Sequence, residues 1–215
     1  MILKSPDDFG IGIVAVDPFH PGTIFAGGRN LWRSRNGGRT WKILPRLRAD
    51  AVGTENVLFS PWHPGTLYRF ESIDLERSTD GGDTWEEILP GGQGIAALAF
   101  DSRTPDLLYA ADTNFGGIWK SPDGGTTWEV AAPLVGENGV IPTALLVDPL
   151  DSAILYLGTQ GDGLWQSRDH GTTWEPLSTS LHAPYITCLE ADPRDPRQLF
   201  ACTVGAGLLE IRRAD

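Results

Sequence analysis

Acidic groups are the chain's main chemical resource. It carries 28 Asp and Glu against 17 Lys and Arg, a net charge of -11. Two carboxylates facing each other across a sugar can serve as acid and base, or as acid and nucleophile, in glycoside hydrolysis. The sequence supplies such groups without showing which of them pair. His20 and His63 hold matching places in "PFHPGT" and "PWHPGT". Imidazole there could ligate a metal, but each sits in its own turn, and a turn histidine is the simpler reading. Asp80, Asp123 and Asp169 offer one carboxylate per turn, short of the about six to eight oxygens calcium takes. Cys188 and Cys202 lack zinc-site spacing. They fall nearly opposite each other on adjacent strands, where a disulfide or two buried free thiols are open readings; free thiols are the expectation. No metal and no cofactor is expected.

Other classes are disfavoured by bulk properties. Phosphate binding needs clustered cations, so nucleic acid and anionic membrane surfaces are poor partners for this chain. No apolar run approaches the roughly 20 residues of a membrane span. The start, "MILKSPDDFG", lacks a signal-peptide core. As given, the chain reads as cytoplasmic, or extracytoplasmic if a leader was removed.

The elements that must position these residues are repeated. The phrase "RSTDGGDTWEEIL" has relatives in "RSRNGGRTWKIL", "KSPDGGTTWEV" and "QSRDHGTTWEPL". Their tryptophans, Trp41, Trp85, Trp128 and Trp174, are 44, 43 and 46 residues apart. A second motif, two apolar strands flanking a turn with Asp or Ser, occurs five times around Asp17, Ser60, Asp101, Asp148 and Asp192. One unit reads as four strands A to D; in the fourth copy these are 144–148, 154–159, 163–167 and 173–177. Four short strands in every roughly 40–50 residues is the signature of a β-propeller. Strand A is apolar on both faces, as in Leu145, Leu146 and Val147, so it belongs between neighbouring sheets. The S-x-D/N-x-G-x-T-W box then spans the C-to-D turn, with its glycines supplying positive φ and its serine and aspartate bonding to turn backbone. A fully buried Trp removes about 150–250 Å², roughly 4–6 kcal/mol as an upper limit. Structural members are therefore Ser34, Asn36, Trp41, Ser78, Asp80, Trp85, Ser121, Asp123, Trp128, Ser167, Asp169 and Trp174. His170, where the other boxes have Gly, falls at a variable position in this reading.

The box resembles the Asp-box of bacterial neuraminidase (BNR) repeats. Together with the Asp-Pro strand pair it is similar to sortilin-like, photosystem II assembly factor-like and xyloglucanase-like propellers. The resemblance covers nearly the whole chain and implies a propeller in which the box is a structural turn remote from active sites. Asn36 departs from the pattern but can still cap its turn. Five strand pairs and four boxes fit an all-β, five-bladed propeller of four-stranded antiparallel blades, one domain over 1–215. Its last blade is closed by an N-terminal strand, "MILKS". The alternative is an open fragment completed by assembly. The resemblance also implies sialidase chemistry as a possibility, which requires an arginine cluster and a tyrosine nucleophile. Tyr68, Tyr109 and Tyr156 share one strand B position and read as core, and no Arg-Ile-Pro occurs.

Recognition is expected at the opposite end. The B-to-C loops ("GGRN", "ESID", "DTNFG", "QGDG") and D-to-A loops ("PRLRADAVGTE", "LVGENGVIP", "STSLHAPY") differ from copy to copy, and varied loops on a repeated scaffold are where repeat proteins place binding. The candidates are Arg29, Asn30, Glu71, Asp74, Asp112, Asn114, Phe115, Gln160, Asp162, His182 and Tyr185. Glu190 joins them, a carboxylate where other strand A copies have Ala15, Leu58, Ala99 and Leu146; packing against Arg69 or a channel water is its plain explanation. The expected role is non-catalytic recognition or scaffolding by a monomer for a protein or glycan. The alternative is a glycoside hydrolase-like enzyme with paired carboxylates in a central pocket.

Overall fold

A computed structural model describes residues 11–28, 30–45, 56–71, 74–89, 94–114, 117–133, 140–177 and 185–213. Every regular element among them is a strand. The chain is a five-bladed β-propeller built of antiparallel sheets. It divides into two compact units, Met1–Gln93 and Gly94–Asp215.

The first unit holds two four-stranded blades. One is β1 (Ile13–Val16), β2 (Ile24–Gly27), β3 (Leu31–Ser34) and β4 (Lys42–Ile43); the other is β5 (Asn56–Phe59), β6 (Leu67–Glu71), β7 (Asp74–Ser78) and β8 (Glu86–Leu89). The second unit holds a blade of β9 (Ile95–Phe100), β10 (Leu108–Asp112), β11 (Gly117–Ser121) and β12 (Glu129–Pro133). A fourth blade follows in β13 (Pro142–Val147), β14 (Leu155–Thr159), β15 (Leu164–Ser167) and β16 (Glu175–Pro176). The fifth shows three strands among the described residues, β17 (Tyr185–Ala191), β18 (Gln198–Val204) and β19 (Gly207–Arg212). The N-terminal closing strand falls on residues 1–10, outside the described residues.

Apolar faces join the blades within each unit. In the second unit Leu145, Val147, Leu155 and Leu157 of the fourth blade pack against Ala97, Ala99, Tyr109 and Ile118 of the third. The opposite face of the fourth blade sets Ala144, Tyr156 and Leu164 against Ile186, Leu189 and Leu199 of the fifth. Gly158 permits this approach: a Cβ there would lie 2.5 Å from Ile186 Cγ2. In the first unit Phe25, Leu31 and Leu44 meet Val57 and Leu67. Strand A is thus buried on both faces in β9 and β13 but not in β1. Val14 and Val16 of β1 are 68% and 50% exposed, while Ile13 packs against the core of the first unit. Tyr68, Tyr109 and Tyr156 are buried, as the strand B reading requires.

Three expectations need correction. Cys188 and Cys202 are bonded as a disulfide rather than free. They are register partners on β17 and β18 with Cα atoms 4.9 Å apart, within the range a disulfide spans. The four box tryptophans are half-buried, so each stabilises by well under the full-burial figure. His170 occupies a left-handed position, φ 60°, where the other boxes place Gly37, Gly81 and Gly124; the position is constrained, not neutral.

Candidate functional site

The two ends of each blade use polar groups differently. At one end lie the A-to-B turns and the boxes. Each box serine donates to its Asp or Asn side chain: Ser34 to Asn36, Ser78 to Asp80, Ser121 to Asp123 and Ser167 to Asp169, at 2.8–3.0 Å. The same serine oxygens accept the amides of Gly38, Gly82, Gly125 and Gly171. The carboxylates of Asp80, Asp123 and Asp169 accept both amide and hydroxyl of Thr84, Thr127 and Thr173. These bonds hold all three carboxyls below the usual range, Asp169 at about 2 chiefly through the Thr173 hydroxyl. Asn36 keeps the pattern with one bond reversed, its Nδ2 donating to Thr40 Oγ1. Each Trp indole N–H donates to the carbonyl of the second box glycine, at 3.0–3.1 Å.

The A-to-B turns are closed by the residues singled out for them. Asp17, Ser60, Asp101 and Asp148 each accept two backbone amides of their turn. In every box-bearing blade the A-to-B turn also accepts a box amide: Gly37 to Gly22, Gly81 to Gly65, Gly124 to Asp106 and His170 to Ala153. His20 Nδ1 lies 3.2 Å from Asp17 Oδ2 within its own turn.

The other end presents the varied loops. Arg29, Phe115 and His182 lie outside the described residues. Glu71 pairs in register with Asp74, and Asp74 is buried. Asp112 is 0% exposed; its carboxylate accepts the Asn114 amide at 2.7 Å and the Trp119 indole at 3.4 Å. Asn30 is half-buried, while Asn114, Gln160, Asp162 and Tyr185 are exposed. Thr159 ties its loop by donating to Gly163 O and accepting the Asp162 amide, which leaves the Gln160 and Asp162 side chains directed outward. Asn114, Gln160, Asp162 and Tyr185 thus share one end of the second unit's sheets. Glu190 lies within β17 opposite Phe200; it is exposed, and partial desolvation raises its carboxyl above the ordinary value. Arg69 is engaged elsewhere: it bonds Glu76 and the Pro45 carbonyl and lies 4.2 Å from the Trp85 ring centre.

One cluster escaped the sequence reading. Arg33 donates to the Gly81 carbonyl and to Asp83 Oδ1. Asp83 also accepts Arg35 at 3.1 Å and Lys42 at 2.8 Å. These cations, Arg33 first and then Lys42, hold its carboxyl far below the usual range. Together with Thr40 and Trp41 they line an open cavity of about 360 Å³. The available signal was Lys42, which stands where Glu86, Glu129 and Glu175 stand in the other boxes.

Comparison with known proteins places this architecture. No protein-family model matches the chain. A probable oligoxyloglucan-reducing end-specific xyloglucanase of Neosartorya fischeri is 39% identical over 85 residues, 36% of this chain and 10% of that protein. An oligoxyloglucan-reducing end-specific xyloglucanase of Emericella nidulans is 28% identical over 172 residues, 70% of this chain and 21% of that protein. The chain therefore matches between a tenth and a fifth of these relatives' length. Among solved structures, the GH74 xyloglucanase of Xanthomonas campestris superposes with a TM-score of 0.74 at 23% identity, over 95% of this chain and 36% of that one. YCF48 of Cyanidioschyzon merolae does so at 0.67 and 17% identity, over 99% and 69%. The fold is a β-propeller of the xyloglucanase and YCF48 type.

Proposed function

We propose that this chain is a single-domain, non-catalytic recognition propeller with BNR-type Asp-boxes, binding a protein or glycan through the loop end of its blades. The observation that carries the reading is the division of labour between the two ends. The Ser and Asp side chains of the boxes are spent in bonds repeated from blade to blade. Loop-end Asn114, Gln160, Asp162 and Tyr185 are exposed and differ from blade to blade. Repeat scaffolds concentrate binding on such variable positions. The test is an array of peptides and of neutral oligosaccharides, xyloglucan fragments included. With a hit in hand, Gln160→Ala, Asp162→Ala and Tyr185→Ala should each weaken binding while the melting temperature holds. Loss of affinity only from A-to-B turn variants such as His63→Ala would refute this placement.

Kinship to xyloglucanases favours a second reading, glycoside hydrolysis. It needs two carboxylates about 5–10 Å apart across a sugar. Asp112 is an awkward member of such a pair, since its oxygens serve Asn114 and Trp119. Reducing-end release from xyloglucan, abolished by Asp162→Asn or Glu190→Gln, would favour the enzyme over the binding module.

A further inference from the structure

Register sets the first blade apart from the others. Where its third and fourth strands face each other, the second blade pairs Arg77 with Glu86, the third Lys120 with Glu129 and the fourth Gln166 with Glu175. The first blade pairs Arg33 with Lys42. Like charges directly opposite on a sheet destabilise it. Arg33 is 4% exposed, so its charge needs a partner within the protein. That partner is Asp83, from the box of the following blade, and Asp83 is shared with Arg35 and Lys42. One carboxylate therefore answers three cations, and among the described residues no other acid lines this cavity, although Arg33 and Arg35 also border an adjoining one with Asp17 and Asp80. The local positive excess stands in a chain of net charge -11.

Arg35 and Lys42 each share Asp83, yet their side chains stay 62% and 64% exposed and can reach a second anion from solvent. The half-buried Trp41 ring flanks them. Cations beside an aromatic face suit a ligand with one anionic group and one ring face. The volume, about 360 Å³, falls within the roughly 300–1,000 Å³ of small-molecule sites. We propose that this cavity, at the box end of the first blade, binds an acidic sugar residue, its carboxylate between Arg35 and Lys42 and its ring against Trp41. This site is separate from the loop end and stands whether or not the loop-end reading holds.

The test is calorimetric titration of the full chain with digalacturonate, with a neutral galactose disaccharide and with inorganic sulfate at matched ionic strength. Saturable binding of digalacturonate, weakened by salt and absent for the neutral sugar, is the expected result. Lys42→Glu installs the residue type the other blades carry at this register, so the fold should be kept or stabilised while affinity falls at least about tenfold, as loss of a charge-assisted contact implies. Should that variant misfold, Arg35→Gln carries the same readout from an exposed position. Equal binding of the neutral disaccharide, sulfate binding as tight as digalacturonate, or unchanged affinity in Lys42→Glu would each overturn the proposal.

Discussion

His170 holds a conformation that an L-side chain enters at a cost of about 1–2 kcal/mol. The box tolerates it because the His170 amide still reaches Ala153 O at 2.9 Å and the Ser167–Asp169–Thr173 bonds are intact. His170→Gly should raise stability by about 0.5–1 kcal/mol, the relief being partly offset by glycine's unfolded-state entropy. A denaturant midpoint that shifts upward with an unchanged slope would bear this out; a lower midpoint would show that the imidazole makes a compensating contact. The side-chain chemistry within the box was readable in the sequence because those bonds span four residues or fewer. The strain at His170 was not, because a single histidine among glycines does not announce its φ.

Strands and turns were equally legible. In the fourth blade, β13 to β16 all fall within two residues of the expected starts and ends, since short apolar runs bounded by turn residues are local signals. The state of Cys188 and Cys202 depended on register across β17 and β18 and on the Cα separation, which composition does not disclose. The bridge closes a sequence separation of 14, for which loop-entropy arguments give about 3 kcal/mol. Reduction should therefore lower the melting temperature, and a Cys188→Ser/Cys202→Ser double variant should melt at the reduced protein's temperature in either redox condition. Identical melting of oxidised and reduced wild type would remove the bridge from the stability of the fifth blade. The Arg33–Asp83 cluster was hidden for a related reason: its members come from two blades and sit 50 residues apart.

Charge acts on the whole molecule. At neutral pH the excess of carboxylates repels itself and opposes the compact state. Lowering the pH toward the isoelectric value, about 4.7, relieves this, and the raised carboxyl of Glu190 acts in the same direction because the folded state holds its proton more tightly. The box aspartates act the opposite way. A carboxyl depressed in the folded state gives stability that is complete above its ordinary value, 3.8, and is lost as pH falls through the folded value, about 2 for Asp169. Melting temperature should therefore rise from pH 7 to about pH 5 and fall steeply between about pH 4 and pH 2. A curve that falls steadily from pH 7 downward would contradict this balance. Added salt at pH 7 should mimic the first half of the rise through screening.

Asn36 carries a consequence for the protein's lifetime. An asparagine followed by glycine is the sequence most prone to lose ammonia, through attack of the next backbone nitrogen on the side-chain amide. Here the Gly37 amide is turned onto the Gly22 carbonyl, and both ends of the Asn36 amide are held by Ser34 and Thr40. The fold thus protects the bond it would otherwise expose, and conversion tracks the fraction of time this turn is open. The aspartate product is the residue the other three boxes carry, whereas the isoaspartate product lengthens the backbone at a turn with no slack. Ageing at this position therefore splits the population into molecules that regain the repeat's own residue and molecules with one broken corner. Either product sets a new negative charge beside Arg35.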